Sequence, residues 1–104
     1  MHIQVNTDRH VEGTTELKHL VENTIKNTLD RFSTRVTRVE VHLGDENSHK
    51  AGGDDKRCLM EARLAGLQPI AVKHQAPTLE QAIDGATGKL ERAIESRLGR
   101  LNKR

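Results

Sequence analysis

Residues 36–43, Val36-Thr37-Arg38-Val39-Glu40-Val41-His42-Leu43, decide the fold. Val39, Val41 and Leu43 alternate with Arg38, Glu40 and His42, so an apolar row lies on one side of the backbone and a polar row on the other. Such a strand has one dry and one wet face, and belongs to a sheet covered on one side only. Residues 57–64 repeat the pattern through Cys58, Met60, Ala62 and Leu64, and residues 69–74 give a shorter strand with Ile70 and Val72 inward. The link Gly66-Leu67-Gln68-Pro69 is short enough for a hairpin. Upstream, Ile3 and Val5 alternate with His2, Gln4 and Asn6 in a first short strand.

Two segments have a helical period instead. After the capping hydroxyls of Gly13-Thr14-Thr15 and the early negative charge of Glu16, an inward stripe runs through Leu17, Leu20, Val21, Thr24, Thr28 and Phe32, widened by Ile25 and Leu29. Lys18 and Lys26 share one flank of this helix, with Glu22 between them. The last helix, residues 78–103, opens on Pro77 and Thr78, with Gln81 completing a capping-box pattern, and carries Leu79, Ile83, Ala86, Leu90, Ile94 and Leu101 as one stripe. The predicted order is β-α-β-β-β-α. Three successive strands form a meander, and a right-handed crossover through the first helix brings the first strand into the sheet. The expected fold class is α+β, a two-layer sandwich with a four-stranded sheet and two helices on one face. Its open sheet face carries Arg38, Glu40, Arg57, Glu61, Arg63 and Lys73. A length of 104 residues is read as a single domain, 1–104.

Charge on the last helix is sorted. At about 100° per residue, Lys89, Arg92, Arg100 and Lys103 fall on one side of the stripe, and Glu80, Asp84, Glu91 and Glu95 on the other. A formal net charge of +2 and a pI near 8.9 therefore hide a basic ridge. Ridges of this kind attract phosphate through Coulomb forces and counterion release, largely without regard to base sequence. The competing reading is an ordinary solvated face. Gly85 and Gly88 each cost this helix about 1 kcal/mol relative to Ala; Gly85 lies on the basic flank, where a missing side chain would admit a bulky partner, or is simply tolerated. If both helices turn their outer flanks the same way, the lysines of the first helix join the ridge in a basic groove.

Composition narrows the partners. With one Phe and no Trp or Tyr, the chain lacks the aromatic platforms on which single-stranded nucleic acid is usually stacked. Contacts to nucleic acid are then expected to run through the backbone and shape of folded RNA or DNA. Cys58 is the only cysteine, which rules out an intramolecular disulfide, and it reads as a buried thiol. No apolar run approaches the roughly 20 residues that span a bilayer, and no secretory segment follows Met1, so a cytoplasmic location without membrane contact is expected.

Catalytic and metal chemistry find no footing. In residues 45–56, Asp45 and Asn47 fit the start of a calcium loop, but His49 and Lys50 occupy later ligand and glycine positions and Lys56 stands where the final Glu belongs. The segment reads as a polar hairpin loop closed by Gly52-Gly53. Histidines at 2, 10, 19, 42, 49 and 74 have no zinc-ligand spacing. No nucleophile elbow, phosphate-binding glycine loop or paired acid and base is present. The expectation is a non-enzyme with neither metal nor cofactor.

The element order, the strand 36–43, and Gln81-Ala82-Ile83-Asp84 leading to Lys89-Leu90-Glu91-Arg92 resemble the bacterial ribosome hibernation factor family, whose members are also called ribosome-associated inhibitors. The likeness spans essentially the whole chain. It implies a fold similar to a double-stranded RNA-binding domain with an added first strand. It also implies a protein that sits between head and body of the small ribosomal subunit, contacts rRNA where mRNA and tRNA would lie, and silences idle ribosomes in stationary phase as part of a stress response. By position Lys89 and Arg92 match the family's basic residues on the last helix, and Lys26 and Arg31 fall near those at the end of its first helix. The long, charged 45–56 loop departs from the smallest members. The chain looks most like the short type, which implies that pairing of ribosomes would need a separate small factor.

The leading expectation is thus a ribosome-binding translation silencer contacting rRNA through Lys89, Arg92, Arg100, Lys103, Lys18, Lys26 and Arg31, with no DNA partner. The alternatives are a protein-interaction module that docks a partner on its open sheet face, and a stand-alone duplex-RNA binder.

Overall fold

The computed structural model describes residues 1–46 and 55–102. They form β1 (His2–Thr7), α1 (Thr15–Leu29), a 3-10 turn (Asp30–Phe32), β2 (Val36–Asp45), β3 (Lys56–Leu64), β4 (Ile70–Ala76) and α2 (Leu79–Asn102), in the predicted order. The sheet runs β1-β2-β3-β4, with β1 parallel to β2 and the other neighbours antiparallel. A register shift between Val36 and Arg38 lets both Val36 and Val39 point inward. Beyond it the alternation holds as far as Leu43: Val39, Val41, Leu43, Cys58, Met60 and Ala62 are buried, while Arg38, Glu40, Leu59, Glu61 and Arg63 share the opposite face.

Both helices lie on the buried side. Val21, Ile25 and Leu29 of α1 and Ala82, Ile83, Ala86, Leu90 and Ile94 of α2 are fully buried against the sheet. Each buried large aliphatic contributes about 1.5–3 kcal/mol, so packing rather than propensity carries α2 through its glycines. Thr14 caps α1 by accepting from the Leu17 amide at 3.1 Å, and the Thr78 hydroxyl accepts from the Gln81 amide at 3.1 Å. Gln81 completes that cap by accepting from the Thr78 hydroxyl at 3.2 Å.

Three expectations need correction. The α-helix ends at Leu29, and Phe32 reaches the core from a tightened 3-10 turn, which directs the chain into β2 through Ser33 N–Asp30 O and Arg35 N–Phe32 O bonds of 3.1 and 2.9 Å. Leu20 stays exposed at the edge of its stripe because Val21, Ile25 and Leu29 occupy the centre. Leu101 is exposed as well, because α2 outruns the sheet and its last buried apolar contact is Leu98. Of the 45–56 loop only the ends are described; Gly52-Gly53 lie outside the described residues. At its base the Lys56 amine bridges Asp45 at 3.2 Å and Asp55 at 3.3 Å, and these carboxylates, Asp45 first, hold the amine protonated above its usual range.

Candidate nucleic-acid interface

The two flanks of α2 meet different neighbours. Its basic flank overhangs the free edge of β4. There the Lys89 amine donates to the Lys73 carbonyl at 2.9 Å, and Arg97 donates to the Gln68 carbonyl at 3.0 Å. Gly85 faces inward to this edge, where an added Cβ would stand 2.5 Å from His74 Cγ and closer still to Cδ2 and Nε2 of the imidazole. Close approach does explain the glycine, but the bulky partner is internal. Arg92 lies back over Gly88, with Nη1 at 3.4 Å from where a Cβ would be, and Arg100 donates to the Ser96 hydroxyl at 3.3 Å. Lys89, Arg92 and Arg100 are all exposed. Over 11 residues they form a row about 16 Å long. None has a carboxylate within ion-pair distance among the described residues.

The acidic flank of α2 borders the α1 side. Arg31, in the turn after α1, reaches Glu95 at 2.9 Å and Glu91 at 3.3 Å and stacks over the Phe32 ring at 4.4 Å from its centroid. Glu95 foremost, together with Glu91, raises the guanidinium further above its ordinary value. Two carboxylates therefore compensate Arg31, and its charge does not extend the ridge. The expected groove shared by both helices is absent for the same reason: α2 turns its acidic flank, not its basic one, toward α1. Lys18 and Lys26 are exposed on α1, separate from the α2 row. Lys103 lies outside the described residues.

Sequence reasoning missed two contributors. Arg97 falls at the angle of the apolar stripe, so helical periodicity assigns it to neither flank; its stem crosses the core edge before the guanidinium reaches Gln68. Lys73 reads as a sheet-face residue, but its carbonyl is also the anchor for Lys89. Cys58 is buried, and desolvation pushes its thiol up to about 12, which leaves it a poor nucleophile. Among the described residues no three His, Cys, Asp or Glu side chains are grouped to hold a metal ion. No helix among them is long and apolar enough to cross a membrane.

A family profile described as sigma 54 modulation protein / S30EA ribosomal protein matches residues 4–102, which takes in the whole sheet but its first residues and all of both helices. The chain belongs to this family. The structure is similar to the crystal structure of the Thermus thermophilus Protein Y N-terminal domain, at 24% identity and a TM-score of 0.74, covering 92% of this chain and 98% of that one. It is similar also to a ribosomal subunit interface protein from Coxiella burnetii, at 17% identity and a TM-score of 0.75, covering 95% and 99%. At these identities the two likenesses bear on the fold, which they share with the β-α-β-β-β-α sandwich described above. A comparison with curated protein sequences gives no match. Within the S30EA match lie the exposed cations Lys89, Arg92 and Arg100 together with the β4 edge that holds them.

Proposed function

We propose that the chain is a ribosome-binding translation silencer with no catalytic activity, a cytoplasmic hibernation factor that occupies the mRNA and tRNA channel of the small ribosomal subunit in stationary phase. The observation that carries this reading is the exposed cation row Lys89, Arg92 and Arg100, free of carboxylate partners among the described residues, in a chain of a ribosomal protein family. The similar Coxiella burnetii protein, a ribosomal subunit interface protein, supports the same direction. The row would contact rRNA phosphates together with Lys103, and Lys18 and Lys26 would form a second, weaker contact. Arg31 would act by tying the turn after α1 to α2. Silencing would then be steric, and pairing of silenced ribosomes would fall to a separate small factor.

Cosedimentation with purified small subunits at moderate salt tests the reading. The wild-type chain should cofractionate, and Lys89→Glu with Arg92→Glu should abolish association while leaving the fold intact, since both side chains lie off the buried stripe and only the surface bond from Lys89 to the Lys73 carbonyl is lost. Translation should fall in proportion to ribosome occupancy, and pre-bound initiator tRNA and mRNA should protect. Unchanged binding by the double variant removes the α2 row as the site, and inhibition at far fewer molecules than ribosomes would mean a catalytic activity.

A further inference from the structure

The strand register sorts charge along the domain as well as across α2. At one end lie the β2 start and β3 end, paired as Val36↔Leu64, the β3–β4 hairpin, and the C-terminal half of α2, which Arg97 ties to Gln68. Arg35, Arg38, Arg63, Arg97 and Arg100 gather there. At the other end, nine strand residues or about 30 Å away, lie the Asp45↔Lys56 pair and the starts of both helices, with Glu12, Glu16 and Glu80. There the Lys56 amine lies between Asp45 and Asp55, and Arg57 is paired with Glu46 at 2.8 Å.

Two features of the arginine end leave guanidinium charge facing outward. Arg38 and Arg63 stand directly opposite each other across β2 and β3, an arrangement of like charges that weakens a sheet. Each leans on a carboxylate of its own strand, Arg38 on Glu40 at 3.2 Å and Arg63 on Glu61 at only 3.9 Å; Arg38 also donates to the Gln4 side-chain carbonyl, whereas Arg63 remains well exposed. Arg35, between the 3-10 turn and β2, is exposed, and its side chain has no bonding partner among the described residues. The carboxylates nearest on α2, Glu91 and Glu95, are already taken by Arg31. Guanidinium forks match phosphate oxygens two at a time, which favours a phosphate backbone over a scattered set of carboxylates.

We propose that this arginine end, through Arg35 and Arg63 and continuous with Arg97 and Arg100 of α2, is a second RNA-backbone contact, so that the domain meets its RNA end-on rather than along α2 alone. The inference rests on the ribosome-binding reading above. The opposite, acid-rich end points away from the polyanion and helps to orient the encounter.

Binding to purified small subunits is titrated across a salt series for the wild type, Arg35→Gln/Arg63→Gln, Arg35→Lys/Arg63→Lys and Lys89→Glu/Arg92→Glu, with melting temperatures as the folding control. The glutamine pair should weaken binding and flatten the slope of log affinity on log salt by about 0.7 to 0.9 per lost contact, and the lysine pair should keep the slope. Wild-type affinity and slope in the glutamine pair, beside lost binding in Lys89→Glu/Arg92→Glu, overturn the arginine end and leave the α2 row standing. Weaker binding at an unchanged slope overturns it too, because the contact would then be to protein. A wild-type chain that does not bind at any salt overturns both readings.

Discussion

Replacing Gly85 by Ala should destabilise the protein, although the same change in the middle of an ordinary helix stabilises it. The gain in helix propensity is about 1 kcal/mol. Against it stands the His74 ring: the new methyl would lie 2.5 Å from Cγ, where carbon pairs normally rest at about 3.5–4.0 Å. Because Cγ is the root of the ring rather than its tip, a small tilt does not relieve the clash, and β4 and α2 must separate or the imidazole must leave. Overpacking of this kind typically costs about 1–3 kcal/mol, so Gly85→Ala should come out roughly neutral to 2 kcal/mol less stable. Two glycines of the same helix are the controls. An added methyl at Gly88 meets only the flexible tip of Arg92 at 3.4 Å, and at Gly99 it meets nothing within 4 Å. Gly88→Ala should therefore gain up to about 1 kcal/mol, and Gly99→Ala somewhat less near the helix end. Urea unfolding followed by circular dichroism reads the difference, and near 100 residues each kcal/mol moves the melting temperature by about 4–8 °C. Adding His74→Ala should restore stability to Gly85→Ala, with a coupling of about 0.5–3 kcal/mol. If Gly85→Ala stabilises as much as Gly88→Ala, the ring yields freely and the account of this glycine is wrong.

Two further changes test the core and the hairpin. Burial raises the Cys58 thiol from an ordinary 9.0 to about 12, so its contribution to stability is complete below pH 9 and is lost as pH rises from there toward 12. The loss should approach 1.4 kcal/mol per pH unit, roughly the value of one unit of pKa; Cys58→Ala should flatten that slope in urea titrations between pH 9 and 10.5, and an equal slope in the variant would refute the assignment. Gly66 has φ +76°, the one left-handed residue among those described, and has open space around it, so Gly66→Ala should cost about 1–2 kcal/mol through backbone strain alone. A neutral result in thermal melts would show that the hairpin relaxes into another turn.

What the chain determines locally is its periodicity. Alternation at residues 36–43 and 57–64, the stripe from Leu79 to Ile94, and the Thr14 and Thr78 caps depend on neighbours within a few residues, so the order of elements, the open sheet face and the buried side of each helix were all legible in the sequence. The division of charge on α2 was legible as well, because it follows from the helical angle alone. Which neighbour each flank would meet was not. That depended on α2 crossing β3 and β4 with its acidic flank toward α1, which brings Arg31 within reach of Glu91, 60 residues away, and removes the expected groove. The same packing set His74 against Gly85 and the Lys89 amine on a strand carbonyl, and the register of β2 on β3 placed Arg38 beside Arg63. These contacts join residues from separate elements, whose distances are fixed only when the shared core closes. The sequence by itself therefore determined the faces of the strands and helices, and the tertiary structure alone decided which charges remain free to meet a partner.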